Sequence, residues 1–109
     1  MTVRDLCTAL SLNALALPDG EREIHGAYVG DLLSWVMGRA ESDQVWITIM
    51  SNINVVAVAS LSDVACVLLA EGVTVEDEVR QTAEAKGINL LSSPKTAYQL
   101  ATALATYGI

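Results

Sequence analysis

Basic residues are what this sequence has least of. Six Lys and Arg stand against thirteen Asp and Glu in 109 residues, a formal charge of −7, and the six never cluster. Affinity for nucleic acid comes largely from cations laid against phosphates, so DNA and RNA are not expected partners. The same deficit argues against an anionic membrane surface. Cysteine is scarce too: Cys7 and Cys66 stand far apart inside apolar patterns. No pair of CxxC spacings offers a structural metal site, so neither metal nor cofactor is expected and both thiols read as buried small hydrophobes. His25 is the only histidine; without a companion base or ligand it reads as structural. The longest apolar stretch, Val55 to Leu69, is interrupted by Ser60, Ser62 and Asp63, whereas a membrane span needs ~20 apolar residues. No charged amino-terminal region with an apolar core and cleavage site is seen, which makes the cytoplasm the expected location.

Motifs that announce chemistry are missing as well. There is no GxxxxGK followed by Ser or Thr, no GxGxxG and no GxSxG; Lys95 follows Pro94 without the glycines a phosphate loop needs. Asp31, His25 and Ser34 lie on one strand–loop–helix turn with no oxyanion partner and do not make a triad. Glu76, Asp77 and Glu78 read as charges of a first helical turn, not as an acid/base pair. No catalytic residue is assigned, and an enzyme is not the expectation.

What is abundant is apolar surface: 52% of the residues are hydrophobic, high for a small soluble monomer. The periodicity predicts a helix over Val3 to Leu12 capped by Thr2, a strand over Ala14 to Leu17, and a turn at Pro18-Asp19-Gly20. Glu23 to Val29 is extended, and Asp31 is expected to cap a helix over Leu32 to Arg39. A strand at Val45 to Met50 leads to a helix over Ile53 to Leu61 capped by Ser51-Asn52, then a strand at Ala65 to Ala70. Thr74 is expected to cap a helix running to Lys86, with Gly87 as its stop. A strand at Ile88 to Leu91 and a helix over Thr96 to Tyr107 follow; Ala97, Leu100, Ala101, Leu104 and Tyr107 should face inward. The alternation of strand and helix from Val45 onward predicts a single α/β domain over 1–109. Its sheet should be mainly parallel, of about four to five strands with right-handed crossovers, and covered by helices.

Two helices carry more apolar surface than one sheet can cover. On a helical wheel Leu32, Leu33, Trp35, Val36 and Met37 sweep roughly 200° of arc, and Ile53 to Leu61 is apolar nearly all round. A homodimer is therefore expected, with Leu33, Trp35, Val36, Val55 and Val58 at the interface. At the carboxyl ends of parallel strands, the usual ligand crevice, the chain places Tyr28, Asp31, Ser51, Asn52, Asn54 and Glu71. Helix starts there could hold a nucleotide or another phosphate-bearing small molecule. Helix capping needs the same residue types, and capping is the favoured reading.

The stretch Glu21-Arg22-Glu23-Ile24-His25-Gly26-Ala27-Tyr28, followed by "VGDLLSWVM", resembles the DRTGG domain family. That family's stretch runs D-R-x-V/I-T-G-G-Y, then an aspartate and a DLLS-like helix. "VWITIMSNINVVAVASLSDVACVLLAEG" has a similar strand–helix–strand cadence, and the likeness covers nearly the whole chain, as for a stand-alone copy. Glu21 replaces Asp, His25 replaces Thr and Ala27 replaces the second Gly, which weakens any catalytic duty for the motif residues Glu21, Arg22, His25 and Gly26. The resemblance implies a fold like the N-terminal domains of HPr kinase/phosphorylase and of Mur ligases. It also implies an accessory role: such domains accompany CBS domains in some pyrophosphatases and occur in phosphotransacetylases as regulatory or dimer-forming modules. The expected function is a non-catalytic regulatory or interaction module that self-associates or meets a protein partner. The alternative is a small-ligand sensor.

Overall fold

Alternation along the central strands decides the layering. In the computed structural model, which describes residues 1–109, β3 (Val45–Thr48) and β4 (Cys66–Leu69) are buried at every position. Successive side chains of a strand point to opposite faces. Trp46, Val67, Leu69 and Leu90 of β5 (Leu90–Ser92) face one layer of helices. Val45, Ile47, Cys66, Leu68 and Leu91 face the other. The first layer is α2 (Leu33–Arg39), α3 (Asn54–Ser62) and α4 (Asp77–Ala85), which contribute Val36; Val55, Val56, Val58 and Ala59; and Val79 and Ala83. The second is α1 (Val3–Leu10) and α5 (Ala97–Thr106), which contribute Val3 and Leu6 and Leu100 and Leu104. Trp46 is wholly enclosed, and truncating such a side chain to Ala typically costs about 3–5 kcal/mol.

The sheet has five strands in the order β1-β5-β4-β3-β2. β2 (Ala27–Val29), β3, β4 and β5 (Leu90–Ser92) are parallel, and β1 (Asn13–Ala16) runs antiparallel beside β5. This is the mainly parallel α/β sheet that the alternation predicts. β1 and β2 are its two edges. The turn after β1 is tied inward by buried Asn89, which donates to Asp19 O and Ala65 O and accepts from Asp19 N. Such a satisfied buried amide fixes a loop without leaving orphan polar groups.

Several boundaries differ from the sequence expectation, for identifiable reasons. Asp31 does not cap α2: the helix starts at Leu33 with no side-chain cap. The Asp31 carboxylate is instead taken by Thr48 at the end of β3 and by Ile49 just after it. Thr74 does not cap α4, which starts at Asp77; Val73 and Val75 lie in a non-helical segment before it, and both pack onto the core. Tyr107 does not face inward and is half-exposed; Ile109 N closes back on Leu104 O, and Ile109 packs on the core in its place. Cys66 is buried as expected, whereas Cys7 is only partly so. The expected caps at Thr2 and Thr96 are present as reciprocal capping boxes with Asp5 and Gln99, each worth roughly 1 kcal/mol of helix stability.

The apolar face of α3 is largely spent on its neighbouring helices and on the sheet, whereas α2 buries only Val36 fully. Val36, Val55 and Val58 are 0%, 1% and 5% exposed, which removes them from the expected dimer interface. Helix-on-helix packing within one layer covers an arc that a sheet alone could not. Leu33 is partly buried against the same core, and Trp35 remains outside it.

Candidate functional site

Residues gathered at the carboxyl ends of the parallel strands come from four loops. After β2, Gly30 N donates to Ile47 O, and Trp46 Nε1 donates to Gly30 O at 2.9 Å. A Cβ on Gly30 would lie 2.9 Å from the Tyr28 ring, so a larger residue there would push the ring aside. Tyr28 is thus a half-buried packing residue. Asp31 accepts from Thr48 Oγ1 at 2.8 Å and from Ile49 N at 2.9 Å. Its carboxylate ties the β2 exit to the β3 exit.

After β3, Asn52 Oδ1 accepts from Asn54 N at 2.9 Å, a local turn that leads into α3. After β4, Glu71 and Gly72 both adopt left-handed backbone (φ 63° and 69°). Their N–H groups donate to Lys95 O and Ser93 O, which binds the β4 exit to the β5 exit. Glu71 therefore serves through its backbone, and its side chain is exposed.

Two clefts open among these loops. One, of about 500 Å³, is lined by Ser51, Asn52, Ile53, Thr74 and the α4 start, including Glu76 and Glu78. It brings Ser51 and Asn52 together, while Tyr28, Asp31, Asn54 and Glu71 do not line it. Two carboxylates and no cation give it the wrong sign for a phosphate. The other, of about 370 Å³, lies between Leu15, Val73, Thr74, Val75, Asp77, Arg80 and Ser92. Thr74 and Val75 form the wall between the two clefts. Sequence reasoning missed most of these lining residues because a helix placed from Thr74 onward hides the non-helical wall. The usable signal was the run of β-branched Val73, Thr74 and Val75, which disfavours an early helix start.

The motif residues lie at the opposite ends of the strands. Arg22 donates from Nε (3.0 Å) and Nη2 (2.8 Å) to Asp43 Oδ1, and from Nη2 to Asp63 Oδ1 at 2.9 Å and Asp63 O at 2.6 Å. Asp43 precedes β3 and Asp63 precedes β4, so one guanidinium clamps two strand entrances. Burial alone pulls the Arg22 pKa down, but hydrogen bonds to Asp43 and Asp63 leave it raised. Gly26 sits at φ 89°, a conformation that favours glycine. His25 donates through its backbone to Asp43 O at 2.8 Å and its side chain is exposed. Glu21 ion-pairs with Arg4 on the surface at 2.7 Å. The motif is thus a structural buckle, remote from both clefts.

Apolar side chains are exposed beside the β2 edge. Leu32, Trp35 and Met37 around α2 are 58%, 53% and 52% exposed, Val29 of β2 is 51% exposed on the α1–α5 face of the sheet, and Ile49 after β3 is also exposed. Arg39 lies over the Trp35 ring at 3.9 Å from its centroid. β2 pairs only with β3, so its other edge presents unpaired backbone groups. No helix is long and apolar enough to cross a membrane.

The fold has a solved counterpart in the CBS and DRTGG domains of the regulatory region of Clostridium perfringens pyrophosphatase, crystallised with its activator diadenosine tetraphosphate. The likeness has a TM-score of 0.67 at 14% identity and covers 95% of this chain and 44% of that one. This chain thus spans less than half of that regulatory region. No curated protein matches the sequence. The family model of the DRTGG domain matches residues 20–107, which includes the Arg22 buckle, all four parallel strands and α2 to α5. The chain belongs to the DRTGG domain family.

Proposed function

We propose that this domain is a non-catalytic, cytoplasmic regulatory module that pairs with a second copy of itself through the β2–α2 edge. The observation that carries the reading is half-exposed Leu32 and Trp35, neighbours three apart at the start of α2, near an open strand edge. A two-fold axis at such an edge sets β2 antiparallel to its mate, a self-complementary contact. β2 has only three residues, so its ladder is short and the apolar side chains of α2 supply most of the attraction. Tryptophan is the residue type most often found as an energetic anchor in interfaces. Family membership and the regulatory setting of the structural counterpart, which takes a nucleotide activator, support a role in transmitting a signal.

Sedimentation velocity at micromolar concentration tests the pairing. A dimer is expected for the natural sequence. Trp35→Glu should weaken it by about thirtyfold or more with an unchanged circular dichroism spectrum. A monomeric natural protein, or a Trp35→Glu dimer of undiminished affinity, overturns the reading.

A further inference from the structure

We infer that the cleft between β1, β5 and α4 is a binding site for a small aliphatic α-amino acid. It lies at the β1–β5 end of the sheet, away from the β2 edge, so the inference stands independently of self-association.

Three features show that the cleft is built. Ser92 is 7% exposed, and its side chain lines the cleft. Its hydroxyl has no partner among the side-chain hydrogen bonds, yet it is not sealed from solvent, since the one fully enclosed and unpaired side-chain atom is Ser62 Oγ. A buried hydroxyl facing an opening without a partner is what a ligand polar group satisfies. Next, the β1–β5 ladder slips between Ala14 and Ala16. That bulge puts Leu15 on the same side of the sheet as Ala16, packed on the α4-side core and lining the cleft. Bulges re-aim side chains in this way near binding sites. Last, the cavity of about 370 Å³ lies within the usual range for small-molecule sites.

The charges select the ligand. Arg80 and Asp77 sit side by side on the rim, Nη2 to Oδ1 at 2.9 Å. One carboxylate oxygen and most of the guanidinium N–H groups are left for other partners. A bare anion would meet Asp77, and a bare cation would meet Arg80. A net-neutral group carrying both signs suits the pair: its carboxylate accepts from Arg80, and its ammonium donates to Asp77 and to Ser92 Oγ. Leu15, Val73 and Val75 supply an apolar wall for an aliphatic side chain. The apolar wall suits an aliphatic side chain such as that of valine or leucine.

Isothermal titration and amide chemical-shift mapping with L-leucine and L-valine test this. Parallel arms use leucinol, isovalerate, adenosine monophosphate and inorganic phosphate. Leucine or valine should bind at millimolar concentration or tighter and shift residues 15, 73–75, 77, 80 and 92. Leucinol and isovalerate, which each lack one charge, should bind at least about tenfold more weakly. Arg80→Ala should weaken leucine binding by about tenfold or more, and this exposed position is not expected to disturb folding. Ser92→Val, which replaces the cleft hydroxyl by methyl groups, is the second variant and should weaken binding by about tenfold or more. No binding by either amino acid overturns the inference. So do shifts confined to other residues, or binding by the monophosphate or phosphate at these residues in preference to leucine.

Discussion

Arg22 grips Asp43 with two nitrogens on one carboxylate oxygen, at 3.0 and 2.8 Å, and reaches across to Asp63 with the same Nη2. The Arg22 side chain is 21% exposed, so these are partly desolvated, charge-assisted bonds, stronger than ordinary surface pairs. Arg22→Ala should destabilise the domain by about 1–3 kcal/mol. Arg22→Lys should recover only part, since a single ammonium cannot span both carboxylates in the same planar arrangement. Urea unfolding with an unchanged m-value reads the difference. A loss below about 0.5 kcal/mol, the usual effect of a surface change, would show that the motif arginine is not a buckle.

The same cluster makes stability depend on acid. The Ser42 hydroxyl at 2.6 Å, and then Arg22, hold the Asp63 carboxyl below its ordinary range. The Thr2 backbone N–H and hydroxyl do the same for Asp5. A group that binds protons less readily when folded lets the unfolded chain take them up first. Its contribution is therefore complete above the unfolded carboxylate pKa, roughly pH 4, and is lost as pH falls through the lower folded value. Unfolding free energy should be flat from neutrality to about pH 5 on this account and decline below it. Asp63→Asn should start lower and decline less steeply, and Ser42→Ala should show a smaller version of the same change. Superimposable acid limbs for natural and Asp63→Asn proteins would remove Asp63 from the account.

How much of this could be read beforehand differs by element. β3 and β4 were legible because parallel strands enclosed on both faces must be continuously apolar. "VWIT" and "CVLL" admit little else. The place of β1 was not: "NALA" has a weak pattern, and its pairing with β5 joins residues far apart in the chain. The acceptor choice of Asp31 was not legible either. A free aspartate before a helix reads as a cap, yet Thr48 and Ile49 arrive only once the sheet has formed. The breadth of the apolar arcs on α2 and α3 was visible, but a helical wheel cannot tell whether a neighbouring helix or a second molecule covers them. Here Val36, Val55 and Val58 went to the neighbour, and the Trp35 flank did not. For the clefts, Ser51 and Asn52 were found from their helix-start position. Ser92 was expected at a strand end, whereas Arg80 was read only as part of a surface helix; the two line one cleft because α4 packs beside β1.

The two thiols should differ in reactivity. Burial raises the pKa of both, strongly for fully enclosed Cys66 and less for Cys7, where nearby Arg4 partly offsets it. Thiolate is the reactive form. Under native conditions a thiol reagent should modify Cys7 slowly and leave Cys66 untouched until the domain unfolds. A Cys7→Ser protein should then show no native labelling. Labelling of Cys66 at the pace of a free thiol would contradict the enclosed core.

Asp31 offers a test of whether a polar residue at a strand exit is scaffolding or ligand machinery. Thr48 is 2% exposed; its hydroxyl accepts from Met50 N and gives its proton to Asp31. Asp31→Ala leaves that donor and Ile49 N without their acceptor, a loss of about 1–3 kcal/mol. In Asp31→Asn the amide oxygen still accepts from both, so stability should stay within about 1 kcal/mol of the natural protein. Unfolding curves of the two variants and of Thr48→Val, which removes the donor but keeps the shape, resolve the network. Thr48→Val combined with Asp31→Ala should cost less than the sum of the two, because each removes the same bond. Strict additivity would mean that the carboxylate and the hydroxyl act separately. In that case Asp31 would be free to serve a ligand at the strand exits.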